Sequence, residues 1–169
     1  HDVGEDPLAF RLKQFEPLRE IPYPGWGAEI YDTGREASVL ELAAEQGEWD
    51  QRGDLPDGFG RGIASFFTFG SYCAHVVDVR MDRGRLEILK VVSAIDCGQP
   101  VNRLGIEAQV EGGVMDGLGA ALHQQITFTE GRVDQANFND YRMMRISEAP
   151  PQVDVHIVDS TVHPTGTGE

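Results

Sequence analysis

The sequence contains little of what several common kinds of site require. Two cysteines in 169 residues are too few for a disulfide framework or for an iron–sulfur cluster held by this chain alone. Basic residues number 14 against 28 acidic ones, a formal net charge of −14. This charge argues against binding of nucleic acid, whose phosphates need a positive surface. No segment approaches the roughly 18 consecutive apolar residues that a membrane-spanning helix needs, so we predict no transmembrane segment.

Several catalytic signatures are missing as well. The five histidines show no metal-ligand spacing such as His-Xaa3-His. No Gly-Xaa-Ser-Xaa-Gly elbow indicates a serine hydrolase, and neither Cys73 nor Cys97 has an evident partner histidine. Both cysteines lie in apolar, strand-like stretches, and we therefore expect buried free thiols.

The N-terminal third is predicted to be a helical arm. Asp6 followed by Pro7 is typical of a helix start, because aspartate caps free N–H groups and proline fits the first helical position. Residues 17–34 are rich in proline, glycine and aromatic residues, and we expect an irregular connection there. A second helix is predicted at about 35–48. Its inner side would carry Val39, Leu42 and Ala43.

A linker is predicted to follow this arm. Glycine, proline and aspartate dominate residues 51–62, a composition typical of connections. We therefore place a domain boundary near residue 57, with a helical arm and linker over 1–57 and a second domain over 58–169.

The second domain is predicted to be α+β. Stretches rich in β-branched and aromatic residues predict strands at 63–69, 72–81, 85–95, 125–129, 132–134 and 152–158. Asp82-Arg83-Gly84 and Glu130-Gly131 indicate hairpin turns. A long helix is predicted from about Asn102 to Leu122, with Asn102 as its N-cap. This order favours a two-layer α+β fold in which one long glycine-rich helix packs against a mixed sheet.

The long helix combines an apolar stripe with an unusual number of glycines. The stripe recurs every fourth residue, at Ile106, Val110, Val114, Leu118 and Leu122. The glycines are Gly105, Gly112, Gly113, Gly117 and Gly119. Each interior glycine costs a helix roughly 1 kcal/mol relative to alanine, so some interaction must offset the loss. Either a strand or helix approaches the backbone closely, or a ligand lies against it.

The helix also predicts a polar group beside the glycines. Gln109 projects on the same side as Gly112, Gly113 and Asp116. An amide next to a bare strip of backbone suits the flat, polar edge of a cofactor. We therefore regard Gln109 as a candidate binding residue.

Three motifs occur in a definite order in the second half of the chain. They are Asp96-Cys97-Gly98 followed by Val101-Asn102, Gln109-Val110-Glu111-Gly112-Gly113 followed by Gly117-Leu118-Gly119, and Gly166-Thr167-Gly168-Glu169. Together they resemble the C-terminal part of the molybdenum-binding large subunit of the xanthine dehydrogenase family, in particular isoquinoline 1-oxidoreductase β subunits and bacterial aldehyde oxidoreductases. The resemblance covers most of the chain and is strongest over 60–169.

A fourth segment resembles the same family. It consists of Asn137-Phe138-Asn139-Asp140-Tyr141 followed by Met143-Met144-Arg145. Methionine and aromatic residues at this density are more typical of core packing than of a site, and we expect them to be packed.

The resemblance implies a cofactor and the residues that hold it. The cofactor is a molybdenum cofactor, as molybdopterin or in its cytosine dinucleotide form. Gln109, Gly112, Gly113 and Gly168 would contact it, and no protein side chain would bind the metal directly. Glu169 would be the base that activates a molybdenum-bound hydroxyl, whose oxygen attacks an electron-poor carbon of an N-heteroaromatic or aldehyde substrate.

The resemblance also implies partners. Electrons would leave through an iron–sulfur small subunit that carries two [2Fe–2S] clusters. The compartment stays open between the bacterial periplasm and the cytoplasm, with the family likeness favouring the periplasm. We expect the sequence to be a C-terminally truncated piece of a larger subunit, and the isolated piece to be inactive because other segments complete the site.

Two other functions stay open on the sequence. The chain could be a non-catalytic α+β module for subunit docking, in which case Glu169 ends a flexible tail, as composition alone indicates. It could also be a metal-independent enzyme that uses Asp96 and Glu111, provided that the two carboxylates meet in space.

Overall fold

A computed structural model of the chain describes residues 4–25 and 28–168. The helices are α1 (Pro7–Phe15), α2 (Thr33–Gln46) and α3 (Arg103–Leu122), with short 3-10 helices at Trp49–Asp54 and Ile146–Glu148. The strands are β1 (Glu20–Gly25), β2 (Ala28–Asp32), β3 (Phe59–Thr68), β4 (Ser71–Asp82), β5 (Arg85–Asp96), β6 (Phe128–Thr129), β7 (Arg132–Val133) and β8 (Val153–Ile157). Within the described ranges, no helix is both long enough and apolar enough to cross a bilayer.

The main sheet is mixed, as predicted. Its strand order is β3-β4-β5-β8, with antiparallel pairing among the first three strands and β8 parallel to β5. The β4–β5 turn places Arg83 at φ 48° and Gly84 at φ 79°, the two positive values that a tight two-residue hairpin turn needs. A parallel pair requires a crossover connection, and α3 lies within the one from β5 to β8. The α+β prediction is confirmed.

Helix α2 packs on one face of this sheet. Val39 and Ala43 are fully buried and Leu42 is partly buried, which confirms the predicted inner side. They share a core with side chains of α1, the first 3-10 helix and the sheet, including Phe15, Leu40, Trp49, Tyr72, Ala74, Val76, Val92 and Ala94. This core contains residues from both sides of position 57. The predicted domain division of the chain at that position stays a prediction.

Helix α3 packs on the opposite face. Ile106, Val110 and Val114 are buried, so the predicted apolar stripe is confirmed over its first three members. Two of them pack with sheet residues that include Cys73, Ile95, Val155 and Ile157. Cys73 and Ile95 are chain neighbours of Ala74 and Ala94 in the α2 core, and successive strand residues point to opposite faces. The sheet therefore separates the two helices. The sheet and α3 are the two predicted layers, and α2 adds a third layer on the other face.

The segment predicted to be irregular contains a hairpin instead. Strands β1 and β2 pair antiparallel, with Ile21 opposite Tyr31 and Pro22 opposite Ile30. The prolines indicated irregular structure because proline has no backbone N–H to donate to a neighbouring strand. A two-stranded ribbon leaves one edge of each strand open, where proline is tolerated. The ring of Tyr31 meets Phe67 edge-on at 5.1 Å, which attaches the hairpin to the main core. Trp26 lies outside the described residues.

We expect Leu40→Ala to lower the free energy of unfolding by about 2–5 kcal/mol, because it removes a core side chain and leaves a cavity. Leu40 is 1% exposed. Leu18→Ala is the matched control, since Leu18 is 63% exposed and its truncation should cost no more than about 0.5 kcal/mol. Urea unfolding measures both, and equal losses would contradict the core described above.

Candidate functional site

The first turn of α3 is capped as predicted. The Asn102 side chain accepts a hydrogen bond from the Gly105 N–H at 3.1 Å. This cap satisfies one of the free N–H groups at the start of a helix. It also sets the orientation in which α3 leaves the turn at residues 97–101.

The exposed side of α3 carries a strip of bare backbone. Gln109, Gly112 and Gly113 are all exposed, on the side away from the sheet. A Cβ built on Gly112, Gly113 or Gly117 would meet no atom within 4 Å in the described part of the chain. Close packing by these residues therefore does not explain the three glycines. We call Gly112, Gly113 and Gly117 the glycine strip.

The other two helical glycines do contact neighbouring groups. A Cβ on Gly119 would lie 3.4 Å from Met144 Cβ, and one on Gly105 would lie 3.1 Å from the Asn102 side chain. Of the two explanations considered from the sequence, close approach therefore applies to these two glycines, and a ligand against the other three stays a prediction. Close packing accounts for Gly105 and Gly119, while the glycine strip is left facing outward.

The C-terminal segment is held by two turns. The Thr165 N–H donates to the Cys97 carbonyl at 2.9 Å, and the Gly166 N–H donates to the Phe69 carbonyl at 3.4 Å. Ser71 Oγ lies 2.8 Å from Thr165 Oγ1 and also donates to the Gly166 carbonyl. The segment thus bridges the β3–β4 turn and the β5–α3 turn. This arrangement differs from the flexible end that composition alone indicates.

The tail passes closest to the β5–α3 turn at Gly98. Its φ is +72°, and a Cβ built on it would lie 2.2 Å from the His163 carbonyl oxygen. The neighbouring Gln99 N–H donates to the Val162 carbonyl at 2.9 Å. A side chain at position 98 would be strained by the positive φ and would also push the tail away. Gly98 therefore allows the tail to dock on this turn.

Two residues that were predicted separately as cofactor contacts meet in space. A Cβ on Gly168 would lie only 2.6 Å from Gln109 Nε2, so the tail passes directly against the exposed amide of α3. A groove of about 340 Å³ runs beside them, lined by the turn after β5, the first two turns of α3 and the tail. Glu169, the predicted base, lies outside the described residues.

A second groove lies further along α3. Its volume is about 360 Å³, and its lining includes Gly112, Asp116, Met143 and Met144. The glycine strip is therefore flanked by two grooves. The tail lines the first groove opposite α3, and the segment around residues 143–149 lines the second groove opposite α3.

The expected packing of the Asn-Phe-Xaa-Asp-Tyr segment is wrong for Phe138. Phe138 is 83% exposed. Asp140 instead organises the segment as a turn, since its carboxylate accepts from the N–H groups of Asn137 at 2.9 Å and Ala136 at 3.1 Å. These hydrogen bonds lower the pKa of Asp140. Tyr141 then donates to Gln124 at 3.0 Å, and the turn directs Phe138 outward.

Asp96 does not pair with Glu111. Its carboxylate accepts from Arg35 Nε at 2.8 Å and from Arg35 Nη2 at 2.7 Å. It also accepts from the Gly98 N–H at 3.0 Å. Glu111 is exposed on α3, on the other side of the sheet from α2. The hypothesis of a carboxylate pair therefore loses its geometric basis.

The cysteines are free thiols, as predicted, with Cys97 buried and Cys73 half-buried. The sequence analysis missed a neighbour of Cys73. His75 Nε2 lies 3.5 Å from Cys73 Sγ, and His75 Nδ1 lies 2.8 Å from Ser93 Oγ. The two-residue spacing on one strand face could have indicated this contact. Burial raises the pKa of Cys73 to about 11 and lowers the pKa of His75, so both side chains are neutral near pH 7.

Across residues 4–25 and 28–168, no group of three or more histidine, cysteine, aspartate or glutamate side chains could hold a metal ion. The chemically distinctive features are the exposed amide of Gln109, the glycine strip and the docked tail.

Comparison with known proteins identifies the family. The model of the molybdopterin cofactor-binding domain family matches residues 25–150. The chain belongs to this family. The likeness to molybdenum hydroxylase large subunits that the motifs indicated is thus confirmed.

Individual relatives agree with this assignment. The chain is 29% identical over 170 residues to the beta chain of isoquinoline 1-oxidoreductase from Brevundimonas diminuta, covering 99% of this chain and 20% of the relative. It is 30% identical over 172 residues to a nicotinate dehydrogenase chain from Pseudomonas putida, covering 99% of this chain and 14% of the relative. The chain therefore spans a fifth or less of either relative.

A solved structure supports the fold. Quinoline 2-oxidoreductase from Pseudomonas putida 86 superposes with a TM-score of 0.53 at 19% sequence identity, over 58% of this chain and 13% of that one. At this identity the match concerns the fold alone.

We expect Gly98→Ala to release the tail. A left-handed conformation costs an ordinary residue about 1–2 kcal/mol, and the new Cβ also collides with the His163 carbonyl. The Thr165 and Gln99 amides should therefore exchange hydrogen faster, as measured by mass spectrometry. Gly84→Ala is the matched control, because Gly84 has φ +79° but no atom within 4 Å of a built Cβ. Equal effects of both variants on tail exchange would contradict the docking role of Gly98.

Proposed function

We propose that this chain forms part of the cofactor-binding region of a molybdenum hydroxylase that oxidises an N-heteroaromatic or aldehyde substrate with oxygen from water. The observation that carries the proposal is the meeting of Gln109 with Gly168 beside the exposed glycine strip. Two motifs that resemble the family's cofactor contacts are far apart in sequence and adjacent in space. The names of two relatives, for isoquinoline and for nicotinate, support a nitrogen heterocycle as substrate.

The residues present fit a molybdopterin-type cofactor. A pterin is flat and has hydrogen-bonding groups at its edge, so it needs close backbone approach and an amide that can both donate and accept. The glycine strip leaves open space above the helix backbone, and the Gln109 side chain is exposed beside it. We therefore assign Gln109, Gly112, Gly113 and Gly168 to cofactor contact. When bound, the cofactor supplies redox chemistry and an electrophilic metal.

Glu169 is the proposed base. It follows Gly168 directly in sequence, and the nearby residues Thr165 and Gly166 are held by backbone hydrogen bonds. Its carboxylate would remove a proton from the attacking water-derived oxygen. The pKa of a glutamate side chain in water is about 4.3. A glutamate that acts as a base near neutral pH needs a less polar surrounding, which raises this pKa. In this proposal other segments of the complete subunit supply that surrounding, and the isolated chain does not turn over.

The electrons released by substrate oxidation need an outlet. A [2Fe–2S] cluster takes four cysteine thiolates, and this sequence has two cysteines. We therefore propose an iron–sulfur small subunit as the partner. The choice between molybdopterin and its cytosine dinucleotide form belongs to the same proposal and depends on segments beyond those described.

Exposed apolar side chains favour a second candidate function, a non-catalytic docking module. Ile146 is 95% exposed and Val101 is 81% exposed. The side chains of Leu104 and Phe138 are also largely exposed. Several large apolar side chains at the surface are typical of interaction sites. In that case Glu169 has no chemical role.

The variant Glu169→Gln separates the two functions in the complete subunit. Loss of a general base lowers turnover by about 10²–10⁴-fold, while molybdenum per chain, measured by elemental mass spectrometry, should stay unchanged. Unchanged turnover with full molybdenum content would support the docking module instead. A molybdenum content near zero in the wild-type assembly would refute the cofactor assignment itself.

We expect Gly113→Leu to exclude the cofactor without loosening the fold. The side chain fills the space over the helix backbone, and molybdenum per chain should fall by about tenfold or more, equivalent to about 1.4 kcal/mol of binding free energy. The helix itself should be stabilised, because leucine is a better helix former than glycine. Ala121→Leu, at an exposed position about 12 Å further along α3, is the control. Unchanged molybdenum in Gly113→Leu would remove the glycine strip from the site.

A further inference from the structure

The C-terminal tail is connected to α2 through one buried ion pair. Arg35 lies in the first turn of α2 and binds both carboxylate oxygens of Asp96, at the end of β5. The two residues are 61 positions apart in sequence. Their side chains are 22% and 7% exposed, so the pair is shielded from water and held by two parallel hydrogen bonds.

The same carboxylate holds the turn that follows it. Asp96 Oδ1 accepts from both Arg35 and the Gly98 N–H, the latter at 3.0 Å. The position of the turn is therefore coupled to the position of the guanidinium. Gly98 and its neighbours in turn receive the tail, since Cys97 accepts from Thr165 and Gln99 donates to Val162.

Two further contacts position Arg35. The Asp32 carboxylate caps α2 by accepting from the N–H groups of Gly34 and Arg35. The Arg35 guanidinium carbon lies 4.6 Å from the centre of the Tyr72 ring, a favourable cation–π distance. The Tyr72 hydroxyl in turn accepts from the Asp32 N–H at 2.7 Å, so the start of α2, the ring and the guanidinium are linked by direct contacts.

We propose that Arg35 and Asp96 are positioning residues for the cofactor site, which set the placement of the Gly166–Gly168 tail relative to Gln109. This inference rests on the proposed function, because the tail matters for chemistry only if it leads to the base. The coupling runs from Arg35 through Asp96 and the Gly98 turn to Thr165. Neither side chain lines the groove beside Gln109, so each acts through the turn.

Arg35 keeps its positive charge near neutral pH. Burial alone would lower the pKa of Arg35, but the hydrogen bonds and negative charge of Asp96 more than offset burial and raise it. The pairing depends on the planar fork of the guanidinium, which lysine cannot reproduce because its ammonium is a point charge.

The test uses Arg35→Lys in the complete subunit. We expect the Gln99 and Thr165 amides to exchange hydrogen about tenfold faster, because the turn loses its fixed anchor. The value of kcat should fall while KM and molybdenum per chain are unchanged. The double variant Arg35→Met with Asp96→Asn removes both charges and leaves no buried ion unpaired. It should fold and show the same faster tail exchange.

Arg61→Lys is the matched control. Arg61 and Asp78 form a similar bidentate pair on β3 and β4, with side chains 8% and 20% exposed, and neither touches the tail. This variant should lower overall stability and leave tail exchange and kcat as they were. The proposal is overturned if the Arg35 variants change tail exchange no more than Arg61→Lys does.

Hydrogen exchange of the tail amides tests the role of Arg35 independently of the proposed function. If Glu169→Gln proves harmless to turnover, tail exchange still reports whether Arg35 fixes the tail. Faster exchange with unchanged kcat would overturn the link to chemistry, and faster exchange with reduced kcat supports the whole proposal.

Discussion

The approach of the tail to the β5–α3 turn is the contact on which the candidate site depends. Peptide backbones can pass this closely only where one of them lacks a side chain, and Gly98 supplies that position, with its own φ in the left-handed region. Two backbone hydrogen bonds then fix the tail on either side, to Cys97 and Gln99. Because α3 starts only a few residues later, the same turn sets the distance between the tail and Gln109.

The glycines of α3 show how a local cost is compatible with a stable helix. Three glycines of the exposed strip cost the helix roughly 1 kcal/mol each relative to alanine. Burial of Ile106, Val110 and Val114 on the opposite side offsets this cost, since most helix stability in proteins comes from packing of an apolar face. The helix therefore does not need its outer face for stability. That face is left available for a ligand.

Sequence reasoning succeeded where the signal is local. The Asn102 cap, the Arg83-Gly84 turn and the first three members of the α3 stripe are indicated by residues no more than four positions apart, and the structure contains them. Prediction from the sequence failed where a contact between residues far apart in the chain determines the local structure. The β1–β2 hairpin was not predicted because its segment contains prolines, which a strand tolerates only at an open edge. Phe138 was expected to be packed, but the turn that Asp140 organises directs it outward. The link between Arg35 and Asp96 spans 61 positions, and no periodicity indicates it.

The shape of the candidate site supports the proposal that other segments of a longer subunit complete it. The two grooves beside the glycine strip are shallow, and the strip itself faces outward, whereas a cofactor pocket buries most of its ligand. A base near neutral pH and a dry reaction centre both require further walls. The chain spans 20% of one relative and 14% of another, so there is ample chain in such subunits to supply them. In the proposed function these residues contribute one edge of the site, where the Gly98 turn and the bare face of α3 bring Gly168 against the Gln109 amide.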